Sequence, residues 1–153
     1  MSEFPNLIII QTLSKAYGLA GIRLGICYAS KEIIAVLNKI KPPYNVNKLT
    51  QQKALKKVLD KKLIKDETNI ILKEKDILFK ALLEVYFIEK IYPSDANFIL
   101  VKVDDATKRY NQLLAKGIVI RNRAKQPLCE NTLRFTIGTP QENKTLIKAL
   151  KAL

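Results

Sequence analysis

Thr12, Ser14, Lys15 and Arg23 fall within one short segment, Thr12-Leu-Ser-Lys-Ala-Tyr-Gly-Leu-Ala-Gly-Ile-Arg23-Leu-Gly25, and their types suit a phosphorylated aldehyde. A lysine amine can condense with a carbonyl carbon to form a Schiff base. Such a ligand also needs an anchor for its phosphate. Arg23, eight positions after Lys15, offers a planar fork that stays charged and donates in fixed geometry. The hydroxyls of Thr12 and Ser14 could face the same phosphate. Gly18, Gly21 and Gly25 allow tight turns and close backbone approach around it. The order differs from that of a nucleotide-binding P-loop, whose glycines precede the Lys-Ser/Thr pair. A lysine after a strand is commonly a solvated charge. Here the register of hydroxyls, lysine, glycines and arginine favours the amine-and-phosphate reading.

Arg121 and Arg134 form the second chemical feature. Each interrupts or ends an otherwise apolar strand pattern, Gly117-Ile-Val-Ile-Arg121 and Thr132-Leu-Arg134-Phe-Thr-Ile-Gly-Thr139. An arginine among apolar neighbours is costly to bury unless an anion meets it. The pattern alone leaves two options open, an anion site or an edge-strand charge facing water. Arg123, in a loop, reads as the latter.

These residues need elements to position them. The run Leu7-Ile8-Ile9-Ile10 predicts a buried strand that holds the lysine loop rigid, and Leu24–Tyr28 a second strand. Ser30 predicts the cap of a helix through about Lys39. Pro42-Pro43 breaks it and predicts an extended segment through Tyr44-Asn45-Val46-Asn47. Two helices follow from about Lys48 to Val85, meeting near Asp60, with a core-facing stripe of Ile64, Ile71, Leu72, Leu78 and Leu82. Strands are expected at Phe87–Ile91 and Asn97–Val103, with a turn at Pro93-Ser94-Asp95 between them. Asp104 or Asp105 caps a helix through Lys116, Gly117 ends it, and Ile118–Arg121 and Leu133–Ile137 are further strands. Pro140 opens a terminal helix through Ala152, with Leu146, Ile147, Leu150 and Leu153 on its apolar repeat.

Composition narrows the chemistry. The 153 residues contain no histidine, which excludes Ser-His-Asp and Cys-His nucleophilic schemes and His-ligated metal sites within this chain. Proton transfer must rest on Lys, Tyr, Asp or Glu. Cys27 and Cys129 stand 102 positions apart without metal-ligand spacing and read as reduced thiols of a cytoplasmic protein. No apolar stretch approaches the roughly 20 residues of a membrane span. The start Met-Ser-Glu-Phe-Pro lacks the basic and apolar regions of a signal peptide. The net charge of +13 comes from 22 lysines and five arginines against 14 acids. Lys53, Lys56, Lys57, Lys61, Lys62 and Lys65 cluster on a helical pattern without interleaved aromatics. Base readout leans on arginine, so this cluster reads as a solvated face and not a nucleic-acid site.

The segment Thr12–Gly25 resembles the pyridoxal-phosphate (PLP) lysine motif of fold-type I aminotransferases. Lys116-Gly-Ile-Val-Ile-Arg121, Lys125-Gln-Pro127 and Thr132–Thr139 resemble the C-terminal signature of histidinol-phosphate aminotransferases. So do Pro42-Pro43-Tyr44-Asn45-Val46-Asn47 and Ala96-Asn97-Phe98, and the blocks run in family order across nearly the whole chain. The resemblance implies an α/β fold, the C-terminal part of a PLP-dependent fold-type I aminotransferase. Residues 1–44 would end the large cofactor domain, 45–85 would be connecting helices, and 86–153 the small α/β domain. Lys15 would carry the Schiff base and shuttle the proton, while Thr12, Ser14 and Arg23 hold the PLP phosphate. Arg121 and Arg134 would meet a substrate phosphate, with Asn97 lining the same pocket. The implied reaction converts histidinol phosphate and 2-oxoglutarate to imidazole-acetol phosphate and glutamate, in histidine biosynthesis.

The same resemblance implies a homodimer, and the composition adds the expectation of a cytoplasmic protein with no metal, nucleic acid or membrane partner. The family's phosphate-gripping Gly/Ala-rich loop, ring-stacking aromatic, pyridine-pairing Asp and ring-hydroxyl Tyr have no counterparts in the 14 residues before Lys15. The chain is therefore expected to be a portion of such an enzyme and not to transaminate by itself. The alternatives are another PLP enzyme of the superfamily, such as a threonine-phosphate decarboxylase or an aromatic aminotransferase, and a non-catalytic basic binding or dimerisation module.

Overall fold

A computed structural model describes residues 3–153, so the first two residues of the Met1–Pro5 start lie outside the described residues. The chain divides into two compact units, one ending at Asp66 and the other beginning at Glu67.

In the first unit, β1 (Ile9–Thr12) pairs antiparallel with β2 (Gly25–Tyr28), Ile9 opposite Tyr28 and Thr12 opposite Gly25. Between them lie the lysine loop and a single 3-10 turn, Ala20–Ile22. Gly25 eases this pairing, since a Cβ there would stand 3.3 Å from the Gln11 carbonyl oxygen, a tight approach that asks the partner strand to give slightly. The expectation of a buried strand at Leu7–Ile10 is corrected. Pairing begins only at Ile9, and Ile8 and Ile10 are 48% and 81% exposed. An all-apolar strand suits a sheet covered on both faces, and a two-stranded ribbon leaves both faces open among the described residues. The core of this unit is instead small: Leu13, Leu19 and Ala54, flanked by Tyr17, Ile22, Leu24, Ile26 and Val58.

The helices of the first unit start and stop where local chemistry dictates. Ser30 Oγ accepts from the Ile33 amide at 3.4 Å and opens α1 (Lys31–Ile40). Lys41 is already extended, as a residue before proline must be. The extended stretch expected at Tyr44–Asn47 is a turn instead, with Tyr44 at φ +61°. The two prolines fix their own φ but not that of Tyr44. Reversing there frees Asn47 to cap α2 (Lys48–Leu59), its Oδ1 accepting from Thr50 at 2.9 Å. Asp60 closes α2 through its amide and opens α3 (Lys61–Leu82) by accepting the Leu63 amide at 2.9 Å.

The second unit is a four-stranded antiparallel sheet in the order β3-β4-β6-β5, from Ile88–Ile91, Phe98–Val103, Thr132–Thr136 and Arg121–Asn122. The end of α3, α4 (Ala106–Ala115) and α5 (Pro140–Lys151) supply its helical core residues. Period-two alternation sends Ile99, Val101 and Val103 of β4 and Leu133 and Phe135 of β6 into a core with Leu78, Leu82, Leu113, Leu146 and Leu150. Phe98, Leu100, Arg134 and Thr136 alternate with them and occupy the other, more open face. Of the expected α3 stripe, Leu78 and Leu82 are buried and Ile71 packs against the core. Leu72 is corrected: it is 54% exposed, one step of about 100° off that face.

Asp105, of the two candidate caps, opens α4 by accepting from Lys108 at 2.9 Å. Gly117, at φ +75°, ends it as a Schellman turn, Ile118 donating to Leu113 and Gly117 to Leu114. That turn explains why the strand expected at Ile118–Arg121 forms a ladder only at Arg121–Asn122. Thr139 and Glu142 build a reciprocal capping box at α5, with Pro140 in the first turn. No helix of the described residues is long and apolar enough to cross a membrane.

Candidate active site

The lysine loop is fixed by its apolar residues and displays its polar ones. Leu13 and Leu19 are buried, and their backbones are tied by a Leu19 amide to Leu13 carbonyl bond of 3.0 Å. The Leu13 amide in turn donates to Leu24 at 3.3 Å, extending the β1–β2 ladder by one pair. The chain therefore enters the loop at Ser14 and leaves it at Arg23 from the same end of that ladder. Lys15, between the two buried leucines, is exposed, and a turn bond from Gly18 to its carbonyl (2.8 Å) shapes its backbone.

The phosphate-type donors Thr12, Ser14 and Arg23 stand at the two ends of the same loop. Thr12 Oγ1 accepts the Ser14 amide at 3.1 Å, which leaves the threonine hydroxyl proton free to donate. Arg23 has φ +53°, a left-handed backbone that costs a residue with a Cβ roughly 1–2 kcal/mol. One of its Nη atoms donates to Ala20 O at 3.0 Å, folding the guanidinium back over the 3-10 turn. An arginine where glycine would be unstrained points to a task for its side chain.

The second unit carries the other three candidates. Arg121 and Arg134 are direct Cα partners of the β5–β6 ladder, so their side chains emerge on one face. Arg134 Nε is buried and has no hydrogen-bond partner, and no ion pair includes either arginine among the described residues. Two like charges in one cross-strand pair with an unspent buried donor are an arrangement that an anion with several acceptor oxygens would satisfy. Asn97 lies just before β4, exposed, with its carbonyl accepting from Ile137 at 2.9 Å. Among the described residues no side-chain hydrogen bond joins it to Arg134.

Phe98 was not singled out as a site residue by sequence, although the Ala96-Asn97-Phe98 block contained it. Its ring lies 4.8 Å from the Arg134 guanidinium carbon. A concavity of about 440 Å³, lined by Ile118, Val119, Gly138 and Glu142 among others, contains none of the seven candidates. Its lining mixes apolar residues with Thr136, Gln141, Glu142, Asn143 and Thr145 and includes no lysine or arginine.

The sequence model of aminotransferase class I and II matches residues 1–150. The chain belongs to the class I and II aminotransferase family. Within it, the histidinol-phosphate aminotransferase of Flavobacterium johnsoniae is 67% identical over all 153 residues, which make up 44% of that relative. Among solved structures, the histidinol-phosphate aminotransferase of Clostridium acetobutylicum superposes with a TM-score of 0.90 at 28% identity. The match covers 99% of this chain and 46% of that one. The Sinorhizobium meliloti histidinol-phosphate aminotransferase, solved in complex with pyridoxal-5'-phosphate, gives 0.85 at 25% identity, covering 97% and 41%. This aminotransferase chain thus spans under half the length of the curated relatives it matches.

Proposed function

We propose that the chain is part of a PLP-dependent histidinol-phosphate aminotransferase of histidine biosynthesis. The observation that carries the substrate class is Arg134, its Nε buried and unspent, set opposite Arg121 across the ladder. That pair suits a phosphate ester, and the family membership and the high identity to histidinol-phosphate aminotransferases support the particular amine.

The donor set of the lysine loop fits PLP: one primary amine, two hydroxyls and one guanidinium on a segment pinned by Leu13 and Leu19. When bound, PLP supplies the electron sink for amino transfer. Thr12, Ser14 and Arg23 would hold its phosphate. Lys15 Nζ would hold its carbonyl end and afterwards move the proton at the substrate α-carbon. Arg121 and Arg134 would bind and orient the substrate phosphate, with Asn97 beside them at the start of β4. Glutamate and 2-oxoglutarate would be the exchanging amino donor and acceptor. In this reading residues 1–44 end the cofactor domain, 45–85 connect, and 86–153 form the small domain. A homodimer in the cytoplasm completes the proposal, supported by apolar side chains such as Ile10 and Leu49 that this chain leaves open.

Borohydride reduction with PLP, followed by peptide mapping, tests the cofactor half. Reduction concentrated on Lys15, and weakened in Arg23→Ala, is expected. Even labelling across the 22 lysines would count against a preformed half-site. Titrating the chain with histidinol phosphate, threonine phosphate and phenylalanine tests the substrate half. Tighter binding of threonine phosphate would move the reading to the decarboxylase, and of phenylalanine to an aromatic aminotransferase.

A further inference from the structure

Two arginines of the second unit lie against aromatic rings, and they differ in what their donors do. The Arg109 guanidinium carbon is 4.2 Å from the Phe87 ring centroid and 5.3 Å from that of Tyr86. Its donors are spent on Asp104, at 2.9 and 2.6 Å, and on Gln112 at 3.1 Å. Arg134 has the ring of Phe98 at 4.8 Å and no acceptor at all among the described residues. A carboxylate partner would fix Arg134 but would also neutralise it and occupy the edge that an anion needs. An aromatic face fixes the plane of the guanidinium while leaving charge and N–H groups available.

The backbone makes this placement firm. Leu100 is the direct β4 partner of Arg134, and Phe98 that of Thr136, so Phe98 is the diagonal neighbour of Arg134 on the same face. Phe98 itself is held by the turn before it. Ser94 Oγ donates to the Phe98 carbonyl at 2.7 Å and accepts from Ala96 at 3.2 Å, while Lys75 Nζ donates to the Ser94 carbonyl. The ring is thus set on a shelf tied to α3, while Arg121 repels Arg134 from the opposite strand.

We propose that Phe98 is a positioning residue for the substrate phosphate, holding Arg134 in line with Arg121 by its ring face. The proposal rests on the reading of that arginine pair as the substrate-phosphate site.

The test uses the chain with arginine side chains labelled with nitrogen-15 and titrated with inorganic phosphate. Five arginines make the Nε–H spectrum simple to assign. Phosphate is expected to shift the Arg134 Nε–H signal, and the Phe98 ring is expected to stay in contact with Arg134 in the saturated state. Phe98→Leu should weaken phosphate binding about fivefold or more, with Phe98→Tyr restoring it and the Tm of both near that of the parent. Equal affinity in Phe98→Leu, or loss of the ring contact in the parent chain on saturation, would overturn the proposal while leaving the arginine site intact. If Arg134→Gln binds phosphate as the parent does, or the parent binds none, the arginine-site reading itself fails and the role of Phe98 falls with it.

Discussion

Arg121 and Arg134 are direct cross-strand partners on the more open face of a four-stranded sheet, and among the described residues no ion pair includes either one. Like charges in such a pair oppose pairing, and an anion between them reverses that term. Arg121→Gln is therefore expected to leave Tm unchanged or slightly raised in phosphate-free buffer. The same variant should lose most of the Tm gain that phosphate gives the parent chain, with affinity down about tenfold for one lost charge-assisted contact. Thermal melts with and without phosphate, repeated at raised salt to screen the exposed charge, check both signs.

Arg23 sets two demands against each other. Its φ of +53° favours glycine, while its guanidinium is the loop's one cation besides Lys15. Arg23→Gly should stabilise the first unit by up to about 1 kcal/mol, because glycine takes that backbone without Cβ strain. Retention of PLP by the same chain should fall at least tenfold. Greater stability with unchanged retention would show that the strain serves something other than the cofactor phosphate.

How legible all this was depends on the range of the interaction. Ser30, Asp60, Asp105 and Gly117 act on amides or carbonyls within a few residues, so those helix ends could be read from neighbours alone, and Pro140 marked the start of α5 by its fixed φ. The spacing of Thr12, Ser14, Lys15 and Arg23 also survives folding as one loop, because Leu13 and Leu19 tie it locally. The exposure of Ile8 and Ile10 was not readable, since an all-apolar strand does not announce whether anything covers it. Nor was the partnership of Arg121 with Arg134, a matter of strand register, or the ring of Phe98, which reaches Arg134 from a third strand. The turn at Tyr44 was missed because two prolines constrain themselves and the residue before them, not the residue after.

Asp104 and Arg109 give the second unit an acid-sensitive tie. The Arg109 hydrogen bonds hold the Asp104 carboxyl down to about 2, and Asp104 in turn keeps the guanidinium above its usual range. A depressed carboxylate pKa contributes stability that is fully present above the unfolded value, near 4, and disappears as pH falls toward 2. Asp104→Asn should cost about 1–2 kcal/mol at neutral pH, a modest figure because the Asp104 side chain is 42% exposed while that of Arg109 is 4% exposed. Denaturation curves from pH 6 to pH 2 should show the parent losing this advantage over the variant as the pH drops. A constant difference across that window would contradict the assignment.

Asn143 ties the β6–α5 corner to α3 through three hydrogen bonds. Its Nδ2 donates to Glu74 Oε2 at 2.9 Å and to the Gly138 carbonyl at 3.1 Å, and its Oδ1 accepts the Gly138 amide at 3.0 Å. Both side chains are buried, Asn143 at 2% and Glu74 at 7% exposure. Asn143→Leu leaves a carboxylate and two backbone groups short of partners and should cost about 3 kcal/mol. A second change, Glu74→Met, makes the test diagnostic, because it removes the acceptor from the other side of the same buried contact. Residues that share a hydrogen bond lose it only once, so the two substitutions should not add. Glu74→Met together with Asn143→Leu is expected to cost clearly less than the sum of the two single changes. Melting the parent, both single variants and the double variant by circular dichroism decides it: a double loss smaller than the sum supports direct Asn143–Glu74 contact, and strictly additive losses argue that they do not touch.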